Sequence, residues 1–155
     1  FSLSKANIND IEDTIKPIGT YKRKSEYIIN TAIKIVKDYN GVVPNNREYL
    51  ESLPGVGRKV CNVVLANLFN ENVIAVDTHV ERVSKRLGLA KANLSPLEVE
   101  KALNKKIPKS SLSRVHHQLV LFGRYICKSQ KPNCNECLLI NDCKYKKSLK
   151  CEVVI

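Results

Sequence analysis

The chain has 155 residues, 43% of them hydrophobic, and no apolar run approaching the roughly 20 residues of a membrane-spanning helix. That balance supports one compact domain, or two small lobes around a cleft, and excludes a disordered polar chain. Lysine plus arginine outnumber aspartate plus glutamate by 26 to 15, for a formal charge of +11 and a pI near 9.5; this is the footprint of a polyanion binder, with a solvated lysine surface as the plainer reading.

Taken in order, residues 1–8 show no clear element. A short helix is predicted over Asn9–Lys16, stopped by Pro17, and Gly19-Thr20-Tyr21 makes a turn. From Lys22 to Tyr39, residues Tyr27, Ile28, Thr31, Ala32, Ile35 and Val36 share one helical face, and Gly41 supplies the stop. Asn45 or Asn46 caps the next helix, which Pro54 ends, because the residue before a proline is pushed out of the α region. Leu53-Pro54-Gly55-Val56-Gly57 then reads as a tight turn, with Gly55 and Gly57 permitting positive φ and close backbone approach. A second helix runs from Arg58 to about Asn70, its apolar face set by Val60, Val63, Val64 and Leu68. Helix, glycine turn and helix together expose backbone N–H groups at the second helix's N-terminus, a ready phosphate site. Lys59 sits in that first turn, where the macrodipole disfavours its ammonium form, although it also reads as an ordinary solvated lysine.

Val73–Val76 is apolar and is read as a buried extended linker, since no partner strand is visible. Asp77 reads first as the N-cap of a helix over Thr78–Leu87, which Gly88 closes. Ser95-Pro96-Leu97-Glu98 has the cap, proline and third-position acid of a helix start, so Pro96–Ile107 is helical. Ser110–Cys127 follows, with Leu112, Val115, Leu119 and Phe122 on one face. His116 and His117 point about 100° apart on that helix and cannot chelate one ion together, so packing or a hydrogen bond is the better reading. The fold class is all-α.

Six cysteines occur: Cys61, Cys127, Cys134, Cys137, Cys143 and Cys151. Cys61 reads as a small buried hydrophobe on the hairpin helix, and Cys151 has no assigned role. The four from Cys127 to Cys143 are spaced C-x6-C-x2-C-x5-C, which asks for tetrahedral zinc or an iron–sulfur cluster; spacing alone does not choose. Lys128 and Lys131 lie in the loop between the first two thiols, where pinned ends would present them rigidly to phosphate, unless the loop is simply solvated.

Leu53–Lys59, followed in register by Val76-Asp77-Thr78-His79, resembles the helix-hairpin-helix DNA glycosylase superfamily, and the Lys59/Asp77 pairing resembles its endonuclease III branch. The resemblance runs from about Asn9 to Tyr145. It implies a partial helical domain over residues 1–71 carrying the hairpin, and a cluster domain over residues 72–155 holding a [4Fe–4S] cluster on Cys127, Cys134, Cys137 and Cys143. Relatives of this kind have several helices before the point where this chain starts, and often a bulkier wedge residue where Thr20 stands.

The resemblance further implies a base-excision glycosylase and abasic-site lyase acting on oxidised pyrimidines. Lys59 would be the Schiff-base nucleophile, and Asp77 would aid its activation and steady positive charge on the sugar. Leu53, Gly55, Val56, Gly57, Arg58, Lys128 and Lys131 would meet duplex DNA. A monomer in the cytoplasm, associated with the nucleoid and not with a membrane, is expected. Two other readings stay open: a monofunctional adenine-mismatch glycosylase, whose branch lacks a lysine at the position of Lys59, and a non-catalytic, cluster-bearing DNA-binding fragment.

Overall fold

The computed structural model describes residues 1–146, and Cys151 lies outside them. Among the described residues there are helices and turns and no strand. The backbone divides into two compact units, Phe1–Cys61 and Asn62 onward.

In the first unit a 3₁₀ turn at Leu3–Lys5, where no element is legible in the sequence, precedes α1 (Ile8–Ile15) and α2 (Tyr21–Tyr39). The Asn7 side chain caps α1 by accepting from the Asn9 N–H. α2 packs against both α1 and the 3₁₀ turn. It ends at Tyr39 as expected, but Asn40 and not Gly41 makes the stop: Asn40 is already left-handed at φ 50°, and the N–H groups of Asn40 and Gly41 both donate to the Ile35 carbonyl. Asn46, rather than Asn45, caps α3 (Arg47–Ser52) by accepting from the Tyr49 N–H at 2.9 Å. Leu50, Leu53 and Cys61 are buried here, so the Cys61 thiol packs as a small apolar group, with the Arg47 guanidinium 3.8 Å from its sulfur.

α4 (Arg58–Leu68) starts in the first unit and runs into the second. The second unit contains α5 (Thr78–Leu87), α6 (Pro96–Lys106) and α7 (Leu112–Tyr125), with a 3₁₀ turn at Lys109–Ser111 leading into α7. Ile74, Val80, Val83, Val99, Leu103 and Leu112 form its core, each at most 1% exposed. The 73–76 stretch forms neither helix nor strand and is buried at Ile74 and Ala75, and Asn62 fixes it from α4 by donating from Nδ2 to the Ile74 carbonyl at 2.9 Å. Both features of the predicted α6 start are present: the Ser95 hydroxyl accepts from the Glu98 N–H, and the Glu98 carboxylate accepts from the Ser95 N–H. Gly123 on α7 faces α5, where a Cβ would come 3.0 Å from the His79 Cβ and 3.1 Å from a Val83 methyl. Its lack of a side chain lets the two helices close. α7 ends two residues before Cys127, because the Ile126 and Cys127 N–H groups both fold back onto the Phe122 carbonyl.

Candidate functional site

The hairpin turn is a type II turn with a separate job for each residue. Leu53, at φ −74° and ψ 144°, leaves α3 extended as a residue before proline must. Pro54 and Gly55 take the central positions, Gly55 at φ +75°, and the Val56 N–H closes the turn on the Leu53 carbonyl at 3.1 Å. α2 supports the turn from beneath. Thr31 Oγ1 donates to the Pro54 carbonyl, and the Tyr27 ring lies so close that a Cβ on Gly55 would stand 2.4 Å from it. Gly57 differs from its expectation: its φ is not positive, and a Cβ there would meet open space. Its carbonyl accepts from the Cys61 N–H and so begins α4. The turn's outward backbone N–H groups therefore stand at the open N-terminal end of an 11-residue helix, where the dipole favours an anion. Leu53 is buried, so its side chain anchors the turn and only its backbone borders the surface. Gly55, Gly57 and Arg58 are exposed and Val56 is half-buried.

Lys59 is exposed in the first turn of α4 and forms no ion pair among the described residues. Asp77 belongs to the second unit and is half-buried. Its Oδ1 accepts from the His79 and Val80 N–H groups at 2.9 and 2.8 Å, so it caps α5 as the local reading has it. Oδ2 takes no part in that cap. One carboxylate oxygen is fixed by the helix while the other keeps its lone pairs for something else.

The four thiols of Cys127, Cys134, Cys137 and Cys143 line one pocket, with Phe122, Ile126 and Ile140 among its apolar walls. The loop winds around it through a run of backbone bonds: Asn133 N–H to the Ile126 carbonyl, Cys137 to Cys134, and Ile140 to Cys137. An all-sulfur donor set in an apolar wall suits a soft metal centre. Among the described residues no three His, Cys, Asp or Glu side chains converge on a point where one ion could sit.

Two arginines of α5 grip this loop, and the sequence pattern hides them. Arg82 donates from Nε to the Cys127 carbonyl at 3.1 Å and from its terminal nitrogen to the Gly123 carbonyl at 2.8 Å, with His79 Nδ1 3.1 Å from that same nitrogen. One turn on, Arg86 donates to the Lys128 and Ser129 carbonyls at 2.7 and 3.0 Å and reaches the Cys127 sulfur at 3.4 Å. A cationic N–H on sulfur suits a metal-bound thiolate. The loop is thus held by protein as well as by its cysteines, with Lys128 and Lys131 exposed on it and Lys131 itself left-handed at φ 47°. The i, i+4 spacing of Arg82 and Arg86 is the one trace in the sequence, and it reads equally as a solvated face. His116, by contrast, does what adjacency suggested: its Nδ1 lies 2.9 Å from the Ala75 carbonyl, and its ring meets His117 edge-on.

Known proteins share this arrangement. Residues 2–109 match the profile of the HhH-GPD superfamily of base excision DNA repair proteins. Endonuclease III of Bacillus subtilis is 50% identical over 137 residues, 88% of this chain and 63% of that protein. Endonuclease III of Thermotoga maritima is 45% identical over 92% of this chain and 67% of its own length. The chain therefore spans about two thirds of the length of the curated relatives it matches. A solved structure described as a trapped endonuclease III–DNA covalent intermediate superposes with a TM-score of 0.89 at 45% identity, covering 96% of this chain and 70% of that one. A thermostable thymine-DNA glycosylase superposes at 0.82 with 28% identity, covering 94% and 69%. With the hairpin, the helix order and these likenesses in agreement, the chain belongs to the HhH-GPD superfamily and, within it, to the endonuclease III family.

Proposed function

We propose that this chain carries the chemistry of a bifunctional base-excision enzyme, a DNA glycosylase with abasic-site lyase activity on oxidised pyrimidines. The observation that carries the reading is Lys59, an exposed amine in the first turn of the hairpin's second helix, in a chain 45% identical to an endonuclease III trapped covalently on DNA. The backbone N–H groups of the Gly55–Gly57 turn hold a phosphate, and the exposed lysines of the cysteine loop add backbone contacts that position the duplex. The damaged base must leave the stack before its bond to the sugar can be cut. The neutral Lys59 amine then attacks C1′ as the base departs with the glycosidic electron pair; the bound nitrogen gives up a proton, the C1′–O4′ bond breaks with O4′ leaving as a hydroxyl, and the opened sugar is held as a protonated imine. Loss of a C2′ proton lets the 3′ phosphate leave by β-elimination, and water releases Lys59. Asp77, with Oδ1 committed to the α5 cap, offers Oδ2 to the positive charge that grows on the sugar.

The four-thiol pocket would take a [4Fe–4S] cluster on Cys127, Cys134, Cys137 and Cys143. Bound, the cluster adds binding energy that only the folded loop can collect. Arg86 and Arg82 orient that loop through its carbonyls, so the loop serves DNA contact rather than bond cleavage. Duplex DNA is the proposed partner, the working form is a monomer, and the cytoplasm beside the nucleoid is the proposed location.

Borohydride trapping on a duplex with one abasic site tests the reading. A covalent adduct of one chain per duplex is expected. Tight duplex binding with no adduct in any condition would leave a non-catalytic binder in its place.

A further inference from the structure

The second unit contains a basic cavity that the proposed chemistry does not use. Its volume is about 610 Å³, within the range of small-ligand sites, and Gly88, Ala90, Ala92 and the Tyr145 ring form part of its lining. Five cationic side chains converge on it: Lys85, Arg86, Lys91, Lys106 and Lys144. Helix ends explain three of these, since cations in the last turns of α5 and α6 complement the helix dipoles. Lys91 comes from the loop after α5 and Lys144 opens the short helical stretch at 144–146, so neither belongs to the last turn of α5 or α6. Neither has a carboxylate partner among the described residues, and the only such pair at the rim is Lys85 with Glu81 at 2.6 Å.

Parts of this wall are fixed in place. Gly88 turns left-handed at φ +79°, and a Cβ there would lie 2.4 Å from Lys144 Cδ, so the lysine's stem crosses directly over the glycine. Lys106 Nζ reaches the Gly88 carbonyl at 3.3 Å from the other side. Arg86 is spent on the cysteine loop and stacks 4.4 Å from the Tyr145 ring centroid, which leaves the lysines to meet a ligand. Like charges gathered around a concavity, with one acid among them, repel unless a multiply charged anion joins them.

We propose that this cavity is a phosphate site taking two or more phosphates of one ligand, either neighbouring groups of a nucleic-acid backbone or a free oligophosphate. The test is calorimetric titration of the full chain with inorganic tripolyphosphate. One saturable site is expected, with Kd raised about tenfold or more in Lys91→Glu/Lys144→Glu and less in the milder Lys91→Gln/Lys144→Gln. The control pair Lys5→Glu/Lys22→Glu, on exposed lysines of the first unit, is expected to keep the affinity. Circular dichroism melts verify that each variant folds. Absence of saturable binding, or an equal loss in the control pair, overturns the proposal. The source follows from duplex binding. A salt slope that becomes shallower in Lys91→Gln/Lys144→Gln, by roughly 0.9 for each phosphate no longer neutralised, supports the site and assigns it to a nucleic-acid strand. An unchanged slope beside weakened tripolyphosphate binding supports the site and assigns it to a free ligand.

Discussion

Replacing Lys59 by glutamine keeps the length and helix propensity of an exposed residue and removes only the amine. Lys59→Gln is therefore expected to abolish the borohydride-trapped adduct and strand nicking while duplex affinity stays near wild type, read by gel and by fluorescence anisotropy. Under the proposed chemistry Asp77 would carry two tasks, the observed α5 cap on Oδ1 and charge stabilisation on Oδ2, and the two are separable. Asparagine caps a helix about as well as aspartate, so Asp77→Asn should leave the melting midpoint almost unmoved. It should slow base release by about 10²-fold, the scale of one electrostatic interaction with the transition state. A pre-formed abasic site should suffer less, because no base has to depart; equal slowing on both substrates would reduce Asp77 to a cap. Thr20 shows strain of another kind. It is a β-branched residue at φ 60°, on the exposed turn before α2. Thr20→Asn is expected to stabilise the chain by roughly 1 kcal/mol, seen as a higher urea midpoint, because asparagine tolerates the left-handed region.

At the scale of elements, the two hairpin glycines make opposite predictions. Gly55→Ala would drive a Cβ into the Tyr27 ring at a positive φ, so it should destabilise the fold by about 1–3 kcal/mol in a thermal melt. Gly57→Ala has open space and an ordinary φ, so it should fold normally, and on the proposed phosphate contact of this turn it should weaken DNA binding by crowding the exposed backbone. Loss of stability in Gly57→Ala would contradict that division. The α6 start gives a pH-dependent case. Hydrogen bonds from the Ser95 hydroxyl and backbone N–H hold the Glu98 carboxyl below the usual glutamate range. A depressed folded value means a contribution fully present above that range and lost as pH falls through it. The stability gap between wild type and Glu98→Gln should therefore be widest near neutrality and close in acid, as followed by urea midpoints.

Much of this was legible because caps and stops are local: Asp77 and Gly88 bound α5 where the sequence puts them, and the box at Ser95 and Glu98 begins α6. The end of α2 at Tyr39 was legible too, although Asn40 and not Gly41 makes the stop; the end of α7 was less so, since the Phe122 carbonyl captures two N–H groups and ends the helix two residues early. The grip of Arg82 and Arg86 on the cysteine loop lies 41 to 45 positions away in sequence, beyond any periodicity.

The whole molecule is a basic protein whose metal and anion chemistry can be read out in bulk. Native protein prepared without oxygen is expected to hold about four irons per chain and no stoichiometric zinc, by elemental analysis. Cys137→Ala should lose iron and solubility together, because a group bound only by the folded state stabilises it. One zinc and no iron would refute the assignment. α5 then carries a consequence beyond its own packing. Ten residues long, about 15 Å, it is a stiff rod with the Asp77 carboxylate clasped at one end and the cysteine loop clamped near the other by Arg82 and Arg86. A rod couples its two ends as a lever does. A shift of the cysteine loop that Arg82 and Arg86 follow is therefore expected to reach the Asp77 carboxylate, so that cutting the clamp by Arg82→Gln should slow the proposed base release in a chain that still folds.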